Sequence, residues 1–130
     1  MILPVTALFA AIMALIQFPM TMVVGIRRAQ TGIHFMTGDD VVLMRRMRAH
    51  GNFTETVPII LLAMAAAESV GASSTLLYAC GIALLLGRLV HFVNLCRDGA
   101  PQIRALGMIL TLTAMVILPG FTLLRLAGWV

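Results

Sequence analysis

Hydrophobic positions fall along this chain in four long blocks separated by short polar stretches. Leu3 to Ile26 holds 24 consecutive uncharged residues, enough for a tilted helix to cross a hydrocarbon core of roughly 30 Å. It lacks a basic leading region and a small-residue cleavage site, so it is expected to stay in the mature protein as a span. A second helix is predicted from about Val41 to Ser69, roughly 43 Å long at 1.5 Å per residue, so its first turns should project from the hydrocarbon. A third runs from about Thr75 to Cys96, uncharged until Arg88. The last span, Ala105 to Leu124, has 20 residues without charge. Pro19, Pro58 and Pro119 interrupt the blocks and predict kinks.

The breaks between the blocks carry turn and cap signals. Asp39 or Asp40 is suited to cap the second helix, and Gly71 to Ser74 is a tight connection that makes the second and third helices antiparallel neighbours. Arg97 to Pro101 reads as a turn, with Pro101 in the first turn of the fourth helix. The fold class that follows is all-α, an integral membrane four-helix bundle forming a single domain over residues 1–130.

Composition strengthens that reading: 61% of residues are hydrophobic, 11% are charged and the mean hydropathy is +1.03, far from the balance of a soluble domain. The formal net charge is +4, and all nine basic residues are arginine. They lie beside spans and not along one solvent face with interleaved aromatics, which argues against nucleic acid. Seven of them cluster at the first-to-second and third-to-fourth connections, while the other side carries only Arg125. That asymmetry places these connections in the cytoplasm and both termini on the opposite side. Cys80 and Cys96 are sixteen positions apart on one predicted helix, about 24 Å, too far to bridge. Neither has metal-ligand spacing, and no metal is expected.

The densest polar stretch is Arg45 to Pro58, set directly against the apolar run from Val57. On a helix, Arg45, Arg48, Asn52 and Glu55 follow at steps of three and four and line one face, which continues through Ile59 and Leu62. This face is expected to turn inward, because ionisable groups at membrane depth are costly unless paired or hydrated. Arg88 and His91, three apart on the third helix, should sit at the same membrane side. A purely structural alternative is an ion pair of Glu55 with Arg88 or Arg48. Arg88 suits such a structural role better than a catalytic one.

Arg-Ala-His-Gly-Asn-Phe-Thr-Glu-Thr-Val-Pro (Arg48 to Pro58), Gly-Arg-Leu-Val-His (Gly87 to His91) and Pro-Gln-Ile-Arg (Pro101 to Arg104) occur in that order. Together they resemble the MAPEG family, the membrane-associated proteins in eicosanoid and glutathione metabolism, in a short, bacterial-type form. The resemblance implies a homotrimer of four-helix protomers with glutathione held between subunits near the cytoplasmic side. It implies ligand contacts at Arg27 or Arg28, Asn52, Glu55, Arg88, His91 and Arg104, with Arg48 and His50 in the same motif. The chain departs from the family's enzymes at Gly51, where an arginine is common, at Leu95, where a tyrosine is common, and at Ala105 and Met108, where hydroxyl-bearing residues are common.

Glutathione presents two carboxylates, an amine and a thiol, so it needs arginine forks, an acidic group and amide or imidazole partners, all of which this chain offers. Arg104, near a helix N-terminus, is the candidate catalytic residue: its charge and the helix amides would favour a thiolate, which could attack a lipophilic acceptor arriving from the bilayer. Two function classes follow. One is a glutathione transferase or peroxidase acting on lipophilic electrophiles. The other is a non-catalytic membrane trimer that binds an anionic lipid headgroup or a partner protein.

Overall fold

Each helix begins with a distinct solution to its unpaired first amides. Asp40 Oδ1 accepts from the Leu43 N–H at 2.8 Å and Ser73 Oγ accepts from the Leu76 N–H at 3.3 Å, so two helices start at side-chain caps. Two others open on proline, which has no N–H to leave unpaired. The computed structural model describes residues 2–129 as α1 (Pro4–Thr31), α2 (Val41–Ser69), α3 (Ser74–Cys96) and α4 (Pro101–Leu126). The helix following the first block extends past Arg28 to Thr31 and closes at Gly32, whose φ of 69° is the left-handed cap conformation glycine adopts readily. Helices α1, α2 and α4 run unbroken through Pro19, Pro58 and Pro119, respectively.

The start of α1 lacks a side-chain cap of its own. Glu68, at the far end of α2, supplies one: its two carboxylate oxygens accept from the Val5 and Thr6 N–H groups at 3.0 and 2.8 Å. A carboxylate at a helix N-terminus satisfies orphan donors and complements the dipole. It therefore ties the two ends of the α1–α2 pair together at that side of the bundle.

One apolar stripe from each helix builds the core. On α2 the buried positions are Leu43, Ala49, Phe53, Val57, Ile60, Met64 and Ala67, spaced by threes and fours from Ala49 onward. From Phe53 onward these positions meet Phe9 and Met13 of α1, Leu77, Cys80 and Leu84 of α3, and Ala114 and Leu118 of α4. Helix α2 packs against all three others, whereas α1 touches α2 and α3 and makes no helix contact with α4 among the described residues. The outer faces carry large exposed hydrophobics such as Leu15, Phe18, Leu86, Val116 and Leu123, as a lipid-facing surface requires.

Three helices, α1, α3 and α4, are long and apolar enough to cross a membrane. The continuous apolar part of α2 is shorter, roughly Val57 to Ala67. Its other half carries the arginine-rich row. The protein is an all-α integral membrane bundle in which the least apolar helix, α2, packs against each of the three others.

Candidate ligand-binding site

The polar row of α2 does not turn inward. Its inward stripe is apolar, and Arg48 and Glu55 are exposed together with Ile59 and Leu62 one and two turns further on. The physical reason is packing: Phe53 and Val57 fill the space against α1 and α3, and a long charged chain there would lose its hydration without a partner. Two members of the row, Arg48 and Asn52, form one wall of an open cavity of about 480 Å³ at the connection end of the bundle. Arg48 and Asn52 from α2, His91 from α3 and Arg104 from α4 supply its polar groups. Leu95, Pro101, Ala105 and Met108 complete the lining.

The guanidiniums of Arg48 and Arg104 have no hydrogen-bond or ion-pair partner among the described residues, and the cavity lining contains no carboxylate. Four other arginines of this end are engaged. Arg27 pairs with Asp40 at 3.0 Å and Arg45 with Asp98 at 2.7 Å. Arg28 donates to the Ile33 and Met36 carbonyls, and Arg46 to the Val23 carbonyl. The two free cations thus converge on one space, with an amide and an imidazole beside them. Such a set suits an anion with several acceptor oxygens.

Arg88 stands behind this wall. It is 2% exposed and has no carboxylate near it, so neither form of the Glu55 ion pair is present among the described residues. Its Nε donates to Thr111 Oγ1 at 2.9 Å, and one terminal nitrogen donates to Thr56 Oγ1 at 3.2 Å and the Asn52 carbonyl at 3.3 Å. The other approaches Met108 Sδ at 3.4 Å. Two residues it touches, Asn52 and Met108, line the cavity. Arg88 therefore braces the wall and does not present itself to a ligand. Thr56 and Thr111, which hold it, were not singled out in the sequence. A hydroxyl inside an apolar block was the available signal, since such residues commonly bond between membrane helices.

His91 reaches the cavity because α3 and α4 approach closely one turn away. A Cβ at Gly107 would lie 2.8 Å from the Gly87 carbonyl oxygen and 2.9 Å from the His91 nitrogen. Only two glycines permit that contact. The start of α4 offers fewer amides than the sequence implied. Pro101 has no N–H, and the Ile103 and Arg104 amides both donate to the Ala100 carbonyl. What α4 contributes to the cavity is the charge of Arg104 itself.

The remaining predicted residues lie off this cavity in a single chain. Glu55 is exposed one turn below Asn52, its Oε1 3.8 Å from where a Cβ on Gly51 would be, and it has no cationic partner among the described residues. His50 meets Thr21 Oγ1 of α1 at 3.0 Å. Arg27 and Arg28 end α1, which contributes nothing to the cavity lining.

Over residues 6–124 the chain matches the MAPEG family. It is 35% identical over 88 residues to a protein of Escherichia coli strain K12 described as "Inner membrane protein YecN", an alignment covering 68% of this chain and 67% of that relative. The protein of the same description from an O6:H1 strain of Escherichia coli is similar to the same extent.

Proposed function

The chain belongs to the MAPEG family, and on that footing we propose that it is a membrane-embedded glutathione-binding protein of the transferase or peroxidase type. The observation that carries this reading is the pair of unpartnered guanidiniums, Arg48 and Arg104, converging with Asn52 and His91 on a cavity lined by no carboxylate. A tripeptide with two carboxylates matches two forks. Glu55, exposed next to Asn52, serves the ligand's amine. Arg104 stabilises the thiolate by its charge, and the thiol proton leaves to water. The sulfur then adds to an electrophilic carbon of a lipophilic acceptor entering from the bilayer; the C–S bond forms as the acceptor's C=C π pair shifts to its activating group, which takes a proton from water.

The proposal includes assembly. Arg27 and Arg28 lie on α1, away from the cavity of their own chain, so a site that uses them is completed by a neighbouring copy. A homotrimer in an inner membrane, with the cavity on the cytoplasmic side and both termini opposite, meets that requirement and the arginine asymmetry.

A second reading has its own observation. Leu95, Ala105 and Met108 line the cavity and present no hydroxyl to a thiolate, which favours an anion-binding trimer without turnover. One experiment separates the two. Glutathione added to the purified protein should give an ultraviolet thiolate band, with Arg104→Ala losing the band while retaining most of the binding measured by calorimetry. An equal band in both proteins would refute the role of Arg104. Binding without any band would support the non-catalytic reading, and no binding at all would refute the glutathione site.

A further inference from the structure

On the far side of the α3–α4 pair from the basic cavity, a second groove of about 440 Å³ is walled by Leu89, Val90 and Val93 of α3 and Ile103 of α4. At 3.6 residues per turn, Val93 lies about 200° round α3 from His91, so the two sites face opposite ways. The walls are almost wholly apolar and open outward: Leu89, Val93 and Ile103 are 37%, 44% and 51% exposed. Along α3 the groove runs from Leu89 to Arg97, about 12 Å.

Its loop end is polar. Arg97 stands there exposed, with no ion pair or hydrogen bond to its guanidinium among the described residues. Asn94, 7% exposed, forms the floor, and its Oδ1 has no donor among the described residues. This end is firmly built. The Gly99 N–H donates to the Asn94 carbonyl at 2.8 Å, and a Cβ at Gly99 would collide with the Asn94 amide, so the turn sits directly on the floor.

We propose that this groove is a binding site for one anionic phospholipid of the surrounding bilayer. The acyl chain lies between Val93 and Ile103, and the phosphate meets the Arg97 fork. Three features support that occupant: apolar walls along the span, an unpaired cation where the span meets the connecting loop, and a groove axis parallel to the helices and so to lipid chains. A guanidinium at the headgroup level attracts an anionic phosphate, and its fork matches the phosphate oxygens. The site does not depend on the glutathione reading, because the two cavities share no residue.

Native mass spectrometry of the protein in mild detergent, with dioleoyl-phosphatidylglycerol or dioleoyl-phosphatidylcholine added, tests it. The parent should retain phosphatidylglycerol at one per chain, about fivefold over phosphatidylcholine, the preference a single arginine near the surface supplies. Arg97→Gln should erase the preference, and Val93→Trp should reduce retention of both lipids. Arg104→Gln, in the other cavity, should keep the preference. Equal retention of the two lipids by the parent would overturn the site, as would an unchanged preference in Arg97→Gln. Loss of the preference in Arg104→Gln would move the lipid to the basic cavity. A disulfide between copies of Val93→Cys would show that a second chain covers the groove. Since Arg97 is exposed, its variant keeps the test informative even where Val93→Trp fails to fold.

Discussion

Arg88 is a permanent cation buried at depth with no counter-charge, and its burial is tolerable only because four neighbours share its donors. Arg88→Ala removes these bonds and leaves a void behind Asn52 and Met108. We expect a loss of about 2–4 kcal/mol in stability, read from the unfolding midpoint in mixed detergent micelles, together with weakened ligand binding. An unchanged midpoint would mean that the bonds only offset the desolvation of the charge. Asp40 offers a test by pH. The Leu43 N–H, and then the Arg27 guanidinium, hold its carboxyl below its usual value. Its folded pKa lies below the unfolded one, so its contribution is complete above the unfolded value and is lost as pH falls through the folded value. Thermal stability of the parent should therefore fall as pH drops below about 4, and Asp40→Asn should respond less steeply over that window. The Asp40 cap was legible in the sequence, because the signal is local. The bracing role of Arg88 was only half legible, since its partners lie 20 to 36 positions away.

Helix pairs in lipid gain little from hydrophobic burial, because lipid tails are as apolar as leucine; close packing of small residues does more. The α3–α4 pair shows this at Gly87 and Gly107, where a methyl group on either would meet backbone atoms within 3 Å. Backbone cannot swing aside as a flexible side chain can. Gly107→Ala should force the helices apart at His91, destabilising the bundle by about 1–3 kcal/mol and weakening glutathione binding, both measurable on the purified variant. Gly120, with nothing within 4 Å of its would-be Cβ, is the control position where alanine should be neutral or mildly stabilising. The blocks of all four helices, with the Asp40 and Pro101 starts, could be read from periodicity and turn residues. The direction in which α2 faces could not. Both its apolar and its polar rows repeat at threes and fours, and which one turns inward depends on what α1 and α3 present to it.

At the scale of the whole molecule, the arginines assigned to one site are divided between two places. Arg48 and Arg104 share a cavity between α2 and α4, while Arg27 and Arg28 end a helix that makes no contact with α4 among the described residues. If copies complete one another's sites, two defective chains can rescue each other. Arg104→Ala should show little thiolate activation of bound glutathione, and an Arg27→Ala/Arg28→Ala double variant should show little glutathione binding. Co-expressed, they should recover part of the parent's signal, because some interfaces in mixed trimers combine two intact halves. Failure to recover any signal, in samples where cross-linking shows mixed trimers, would place all ligand contacts within one chain. Cross-linking that detects only single chains in mild detergent would overturn the trimer itself.

The sequence alone determined what depends on local order and composition. Long uncharged blocks forced helices in lipid, because no other open structure satisfies its backbone there. Asp40, Ser73, Gly32 and the opening prolines set the helix ends, and the ordered Arg48–Pro58, Gly87–His91 and Pro101–Arg104 motifs marked the residues worth following. Tertiary structure decided the rest, through contacts between residues far apart in the chain. It turned the polar row of α2 outward and set Arg88 behind the cavity instead of in it. It left Arg48 and Arg104 unpaired while engaging Arg27, Arg28, Arg45 and Arg46 elsewhere. It also sent Glu68 across the bundle to cap α1. A charged side chain's partner is set by which helix lies beside it in space, and spacing along a single helix carries no record of that neighbour.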